Sequence, residues 1–222
     1  MGYQGKLLHH YDELNTRQRI RYHLADRFRF SAEDRFFFEG CRGNPGQMFL
    51  AERRALYEAI LRHQPRHCFE IGTYTGGGST FFLAHAFARL GKGKVITMES
   101  DASLHKRCVN FYHKRLPKLF PFVEFVHGDR VEALSPYIGD RLDCFFLDGA
   151  EDADQTVSQY LFFEQFCDQG TVMMAHDWHT EKMKNLRAML PEAAMEWRLE
   201  VRLDSPVSVG FVVMVCEGRK QG

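Results

Sequence analysis

Residues 68–80, CFEIGTYTGGGST, set a short apolar run against four glycines and one glutamate. The apolar residues read as a strand and the residues after Gly78 as the start of a helix, so the glycines form the turn between them. Glycine adopts positive φ without strain and lets backbone come close to a neighbour or a ligand. Gly72, Gly76, Gly77 and Gly78 together exceed what a plain strand-to-helix connection needs. In open α/β sheets ligands bind at the carboxyl ends of the strands, which is where this turn would lie. A tight connection holding nothing is the plain alternative. Two phosphate-binding patterns fail on inspection. Gly72 and Gly77 have P-loop spacing, but Gly78 stands where the phosphate-binding lysine belongs. In the dinucleotide fingerprint Tyr74 replaces the second glycine, which costs a pyrophosphate its close backbone contact.

Outward from the turn, short apolar runs alternate with longer amphipathic ones. HCFEI (67–71), KVITME (94–99), FVEFVH (122–127), LDCFFLD (142–148) and GTVMMAH (170–176) read as strands. Helix-like segments lie near 77–90, 101–116, 129–137, 153–168 and 180–190. This spacing predicts a doubly wound parallel sheet, and the near-continuous apolar strands fit one covered on both faces. EWRLEVRL (196–203) and VSVGFVVMVCE (207–217) then follow with no room for a helix, so they must pair antiparallel. The fold class is therefore α/β: a doubly wound, mostly parallel seven-stranded sheet with a C-terminal antiparallel hairpin and an N-terminal helical cap.

The chain divides at about residue 47, into a helical cap or lid segment (1–47) and the sheet domain (48–222). MFLAERRALYEAILRHQP (48–65) reads as a helix stopped by Pro65. Residues 17–40 interleave arginine with aromatics, which could suggest a nucleic-acid surface. Residues 1–45 carry eight Lys/Arg against six Asp/Glu, an excess too small for that role. Amphipathic helices packed over a cleft are the alternative, and Phe36 to Phe38 would serve either a cleft wall or the core. The whole chain has zero formal net charge, so no nucleic-acid or membrane partner is expected. No apolar export signal opens the sequence, which leads to the expectation of a cytoplasmic protein. Six cysteines without a CxxC pair read as buried free thiols in a reducing compartment.

Glu70, Gly72 and Gly76 form the pattern Glu-x-Gly-x-x-x-Gly. This resembles the first motif of class I S-adenosylmethionine-dependent methyltransferases, whose cofactor carries no phosphate. The resemblance spans about 48–217 and implies the Rossmann-like methyltransferase fold. It implies cofactor contacts from Glu70, Gly72, Tyr74, Gly76 and Ser79 around the turn. Glu99 would hold the ribose hydroxyls at the tip of the second strand, with Ser100 beside it. Gly128, Asp129 and Arg130 would form the adenine-edge loop, although Asp129 could equally cap a helix. One departure is visible: related catechol-type enzymes read Gly-x-Ser after the turn, and here Gly78 takes the serine position.

The far strands end in FFLDGAED and MMAHDWH. Their tips would gather Asp148, His176 and Asp177, with Asp148 also beside the cofactor. This resembles the cation-dependent small-molecule O-methyltransferases of the catechol and macrolide-sugar types, where acidic residues at these tips hold Mg²⁺. The resemblance implies a divalent metal on Asp148, His176 and Asp177, a small-molecule hydroxyl as acceptor, and catalytic roles for Asp148, Glu151 and His176. Histidine at this ligand position departs from the family and suits Mn or a softer ion better than Mg. A metal-free site with His176 as general base, or a simple His–Asp pair, remains open. Glu151 stands where related enzymes place a Lys or His base; it could be a base, an extra ligand or a helix N-terminal charge. The pattern leaves open a homo-oligomer, a nitrogen or macromolecular acceptor, and a non-catalytic cofactor-binding module.

Overall fold

A computed structural model describes residues 32–44, 46–205 and 207–220. The reading of residues 1–31 as part of a cap, and of their arginines, lies outside the described residues. Helices α1 (Ala32–Glu39) and α2 (Leu50–His63) precede an alternating series. It runs β1 (His67–Ile71), α3 (Ser79–Leu90), β2 (Lys94–Glu99), α4 (Ala102–Arg115), β3 (Val123–His127), β4 (Cys144–Leu147), α5 (Ala153–Glu164), β5 (Val172–His176), α6 (Lys184–Met189), β6 (Met195–Leu203) and β7 (Phe211–Arg219).

The sheet has seven strands in the order β3-β2-β1-β4-β5-β7-β6. The first five are parallel, and β7 enters antiparallel between β5 and β6. Sequence order reverses between β1 and β4, which opens a crevice at their carboxyl ends. Alternate strand residues enter opposite cores. Cys68, Cys144 and Phe146 pack under α2 and α3, whereas Phe69, Ile71, Phe145 and Leu147 pack against Phe163 of α5. Both faces are therefore apolar, as the unbroken strand runs require.

Two expected helices are shorter or tighter than read. Val131–Tyr137 is a 3₁₀ helix containing Pro136, which has no N–H to continue an α-helical ladder. The 180–190 segment splits into a 3₁₀ turn, Glu181–Met183, followed by α6. Phe37 and Phe38 are buried, and Phe37 rests on Tyr57 and Phe82 with ring centroids 5.3 and 5.8 Å away. Phe36 packs against the same cluster, so this triplet serves the core and not a cleft wall. Buried Arg53 of α2 ties α1 down by donating to the carbonyls of Phe37 and Phe38 at 3.0 and 3.1 Å. All six cysteines are buried and free.

Two close backbone approaches fix the crevice. Gly72 has φ +97°, and a Cβ there would sit 2.7 Å from Gly149 Cα in the loop after β4. Gly46, just before α2, lies so close to Gly78 that neither chain has room for a side chain on Gly46. Gly72→Ala meets both a positive φ and a backbone clash. It should destabilise the protein by about 2 kcal/mol or more in urea unfolding; a loss within measurement error would contradict the packing described.

Candidate active site

A cavity of about 730 Å³ opens at the carboxyl ends of the central strands. That volume lies within the roughly 300–1,000 Å³ usual for small-molecule sites. One wall is the glycine turn; the opposite wall is the loop after β4, and the segment from Gly46 to Phe49 closes part of the rim.

On the turn side, Gly72, Thr73, Tyr74 and Ser79 line the cavity. The N–H groups of Gly72 and Thr73 both donate to the Met98 carbonyl at 3.1 Å, which bends the chain out of β1. Tyr74 follows in the left-handed region at φ 50°. Its N–H donates to Glu99 Oε2 at 2.7 Å, and the Asp101 N–H donates to Glu99 Oε1 at 3.0 Å. Glu99 is thus fixed at the tip of β2, 8% exposed, with its carboxylate on the cavity wall. Ser100, Gly128 and Asp129 continue that wall.

Three expected contacts stand elsewhere. Gly76 lies beneath the turn at φ +74°, where a Cβ would come 3.1 Å from the Tyr112 ring. Tyr112 Oη donates to the Gly76 carbonyl at 2.6 Å, so this glycine fits the turn onto α4. Arg130 points into solvent beside Glu132, 3.5 Å away. Glu70 is fully buried behind the turn and accepts from Thr80 Oγ1 at 2.6 Å. Burial pushes its carboxyl up to about 7, against the pull of the Ser79, Thr80 and Thr97 hydroxyls. Glu70 therefore braces the turn from inside and does not reach the cavity.

The far side brings Asp148, His176 and Asp177 together, as the parallel register of Leu147 beside Ala175 dictates. Their potential ligand atoms lie within 4.8 Å of one another. His176 Nδ1 is 3.2 Å from Asp148 Oδ1 and 3.5 Å from Asp177 Oδ1. Asp177 itself sits in the left-handed region at φ 55°, which turns its carboxylate back toward the strand tips. Two further groups complete the cluster. Fully buried Glu52 of α2 places Oε2 3.0 Å from His176 Nε2. Lys182 Nζ lies 2.6 Å from Asp177 Oδ2 and 3.2 Å from Asp148 Oδ1.

Burial alone would lower the His176 pKa, but its hydrogen bonds to Asp148 and Glu52 carry it up to about 10. A ring that holds its proton at neutral pH is a fixed cation and a poor general base. Burial would likewise raise Asp148, yet its bond to His176 and the Lys182 charge hold it below the usual carboxylate range. Glu151 lines the cavity mouth, and Asp152, not Glu151, caps α5 by accepting from the Asp154 and Gln155 N–H groups.

Glu52 and Lys182 were not singled out in the sequence. Glu52 also closes the first turn of α2, accepting from the Phe49 N–H at 2.7 Å. That N-terminal pattern is visible in FLAE, but its burial is not. Lys182 is one of two lysines in a polar stretch, TEKMKNL.

This is an α/β sheet with a small-molecule cavity at its switch point and a charged cluster on one wall. Residues 69–178 match the model of a family described as a methyltransferase domain. No curated protein matches. Among solved structures, an O-methyltransferase from Streptomyces achromogenes involved in tomaymycin synthesis, in complex with SAM, superposes with a TM-score of 0.62. It shares 15% identity over 92% of this chain and 100% of its own. An O-methyltransferase from Bacillus cereus in complex with SAH gives 0.61 at 15% identity, covering 89% of this chain and 97% of its own. An SAH-bound Podospora anserina methyltransferase gives 0.59 at 15%, covering 91% and 87%. These likenesses establish the fold. Among the described residues no helix is long and apolar enough to cross a membrane.

The raised Glu70 pKa has a consequence for stability. The folded state binds this proton more tightly than the unfolded chain, so ionisation penalises folding as pH rises from about 4.5 to about 7. Glu70→Gln removes that titration. Its stability relative to the parent should rise across this window by up to about 3 kcal/mol in urea titrations. A pH-independent difference would contradict the buried, raised carboxyl.

Proposed function

We propose that the protein transfers a methyl group from S-adenosylmethionine to a hydroxyl oxygen of a small molecule. The observation that carries this reading is Glu99. Its carboxylate is held at the β2 tip by two backbone N–H groups and faces a cavity floored by the glycine turn. Such a carboxylate suits a pair of ribose hydroxyls, and no lysine on the turn meets a pyrophosphate. The methyltransferase-domain match and two O-methyltransferases of the same fold, solved with SAM and SAH, support it.

When bound, the sulfonium donor supplies an electrophilic methyl carbon and a good leaving group. The chain's contribution is mainly orientation. Glu99 would accept from the ribose, Gly128 and Asp129 would border the base, and the backbone of Gly72 to Tyr74 would leave room for the methionyl part. The acceptor enters past Gln47 to Phe49, at the junction of the cap segment (1–47) with the sheet domain. Its hydroxyl proton passes to Glu151. Among the carboxylates on the acceptor side, Asp148 and Asp177 are tied to Lys182, whereas Glu151 has no ion-pair partner among the described residues.

Calorimetry with S-adenosylhomocysteine tests the donor site. Glu99→Ala should weaken binding roughly 10- to 100-fold, about 1.5–3 kcal/mol; unchanged affinity would remove Glu99 from the ribose. Release of S-adenosylhomocysteine on incubation with S-adenosylmethionine and hydroxyl-bearing small molecules tests the reaction. With an active acceptor, Glu151→Gln should cut kcat about 100-fold or more at neutral pH and leave donor affinity intact. An unaltered kcat would assign the proton to another group.

A further inference from the structure

We propose that Lys182 takes the place of a divalent metal at the acceptor side of this site, so that Asp148, His176 and Asp177 bind no metal ion. The inference rests on the methyltransferase reading only for what lies beside the cluster.

A bridging cation is needed there, because two carboxylates from adjacent strand tips face each other. Lys182 Nζ meets that need with its own positive charge. Its three hydrogens have three acceptors: the Asp148 carbonyl at 2.9 Å, Asp148 Oδ1 at 3.2 Å and Asp177 Oδ2 at 2.6 Å. The side chain is only 16% exposed. Its backbone is anchored as well. Met183 is fully buried, and Arg187 Nη1 donates to the carbonyls of Trp178 and Thr180 across the same turn. The lysine therefore comes from a braced turn, not from a loose surface arm.

The remaining donors do not suit an ion either. Mg²⁺ requires near-octahedral oxygen ligation, and here an imidazole occupies one of the three positions. A softer ion would need a free nitrogen lone pair, but both ring nitrogens of His176 face carboxylates, Glu52 on one side and Asp148 on the other. The Lys182 ammonium already places a positive charge between the two aspartates. A divalent ion between the aspartates would have to expel Lys182 into the neighbouring cavity. An acceptor hydroxyl then gains no acidity from a metal, which leaves its proton to a carboxylate at the cavity mouth.

The rival arrangement is concrete. A carboxylate on the far nitrogen of a histidine is also what orients a metal-bound imidazole, so Glu52 would serve equally if Lys182 swung out. Metal-stripped full-length protein titrated with Mn²⁺, followed by the electron paramagnetic resonance of free Mn²⁺, separates the two. The parent should take up no stoichiometric Mn²⁺, and Lys182→Ala should bind it at least about tenfold more tightly than the parent. Lys182→Met, which keeps the apolar stem, replaces the alanine variant if that one does not fold. One equivalent of Mn²⁺ bound by the parent and lost in Asp177→Asn would overturn the proposal. So would a Lys182 variant that binds no better than the parent. S-adenosylhomocysteine binding is measured on the same samples: its absence sinks the methyltransferase reading and leaves the Mn²⁺ result to judge Lys182 separately.

Discussion

The constraint on which the site depends is the repulsion between carboxylates that the sheet itself forces together. Parallel pairing of β4 with β5 puts Asp148 and the His176–Asp177 pair at neighbouring tips. Two like charges about 4 Å apart cost about 4 kcal/mol at an effective dielectric of 20. Adding Glu52, fully buried on α2, raises the demand for positive charge. The fold answers with an imidazolium wedged between three carboxylates and an ammonium clamped between two. The same contacts join elements far apart in sequence: α2, the tips of β4 and β5, and the turn before α6. Ser208, before β7, adds a further tie by donating to Glu52 Oε1 at 2.6 Å. Acidic side chains that would otherwise push the crevice open thus become the links that hold its far wall.

The near wall is built on a different principle, close packing of backbone. Gly72 against Gly149, and Gly46 against Gly78, bring chains closer than side chains allow. Behind them Glu70 and Tyr112 brace the turn from inside. The outcome is a shaped, mostly neutral half-cavity with one fixed carboxylate, Glu99, facing a strongly charged half-cavity. A donor with a sugar diol and an acceptor with an ionisable hydroxyl would each find the half that suits it.

Much of this was legible in the chain. The five apolar runs gave the parallel strands within a residue or two, because strands buried on both faces leave an unbroken apolar signature. The terminal hairpin followed from the missing room for a helix between its strands. Glu99, Asp148, His176 and Asp177 could be placed because each is the last residue of a strand or the one after it, where position in space is fixed. What could not be read depended on three-dimensional packing. Gly76 looks like a cofactor glycine, yet its constraint comes from Tyr112, 36 residues away. Arg130 sits in the expected loop, but its side chain turns to Glu132 and water. Glu52 and Lys182 carry no local mark of burial, and only the folded chain shows that they complete the charged cluster. The family pattern supplied the expectation of a metal; the position of Lys182 between Asp148 and Asp177 is the ground for the proposal that none binds.

The most direct test of this account is a crystal structure of the S-adenosylhomocysteine complex grown with Mn²⁺ and read for anomalous scattering. The account predicts ribose hydroxyls on Glu99, Lys182 Nζ between Asp148 and Asp177, and no anomalous peak between those carboxylates. A manganese peak there with Lys182 turned away, or a ligand whose sugar lies far from Glu99, would contradict it.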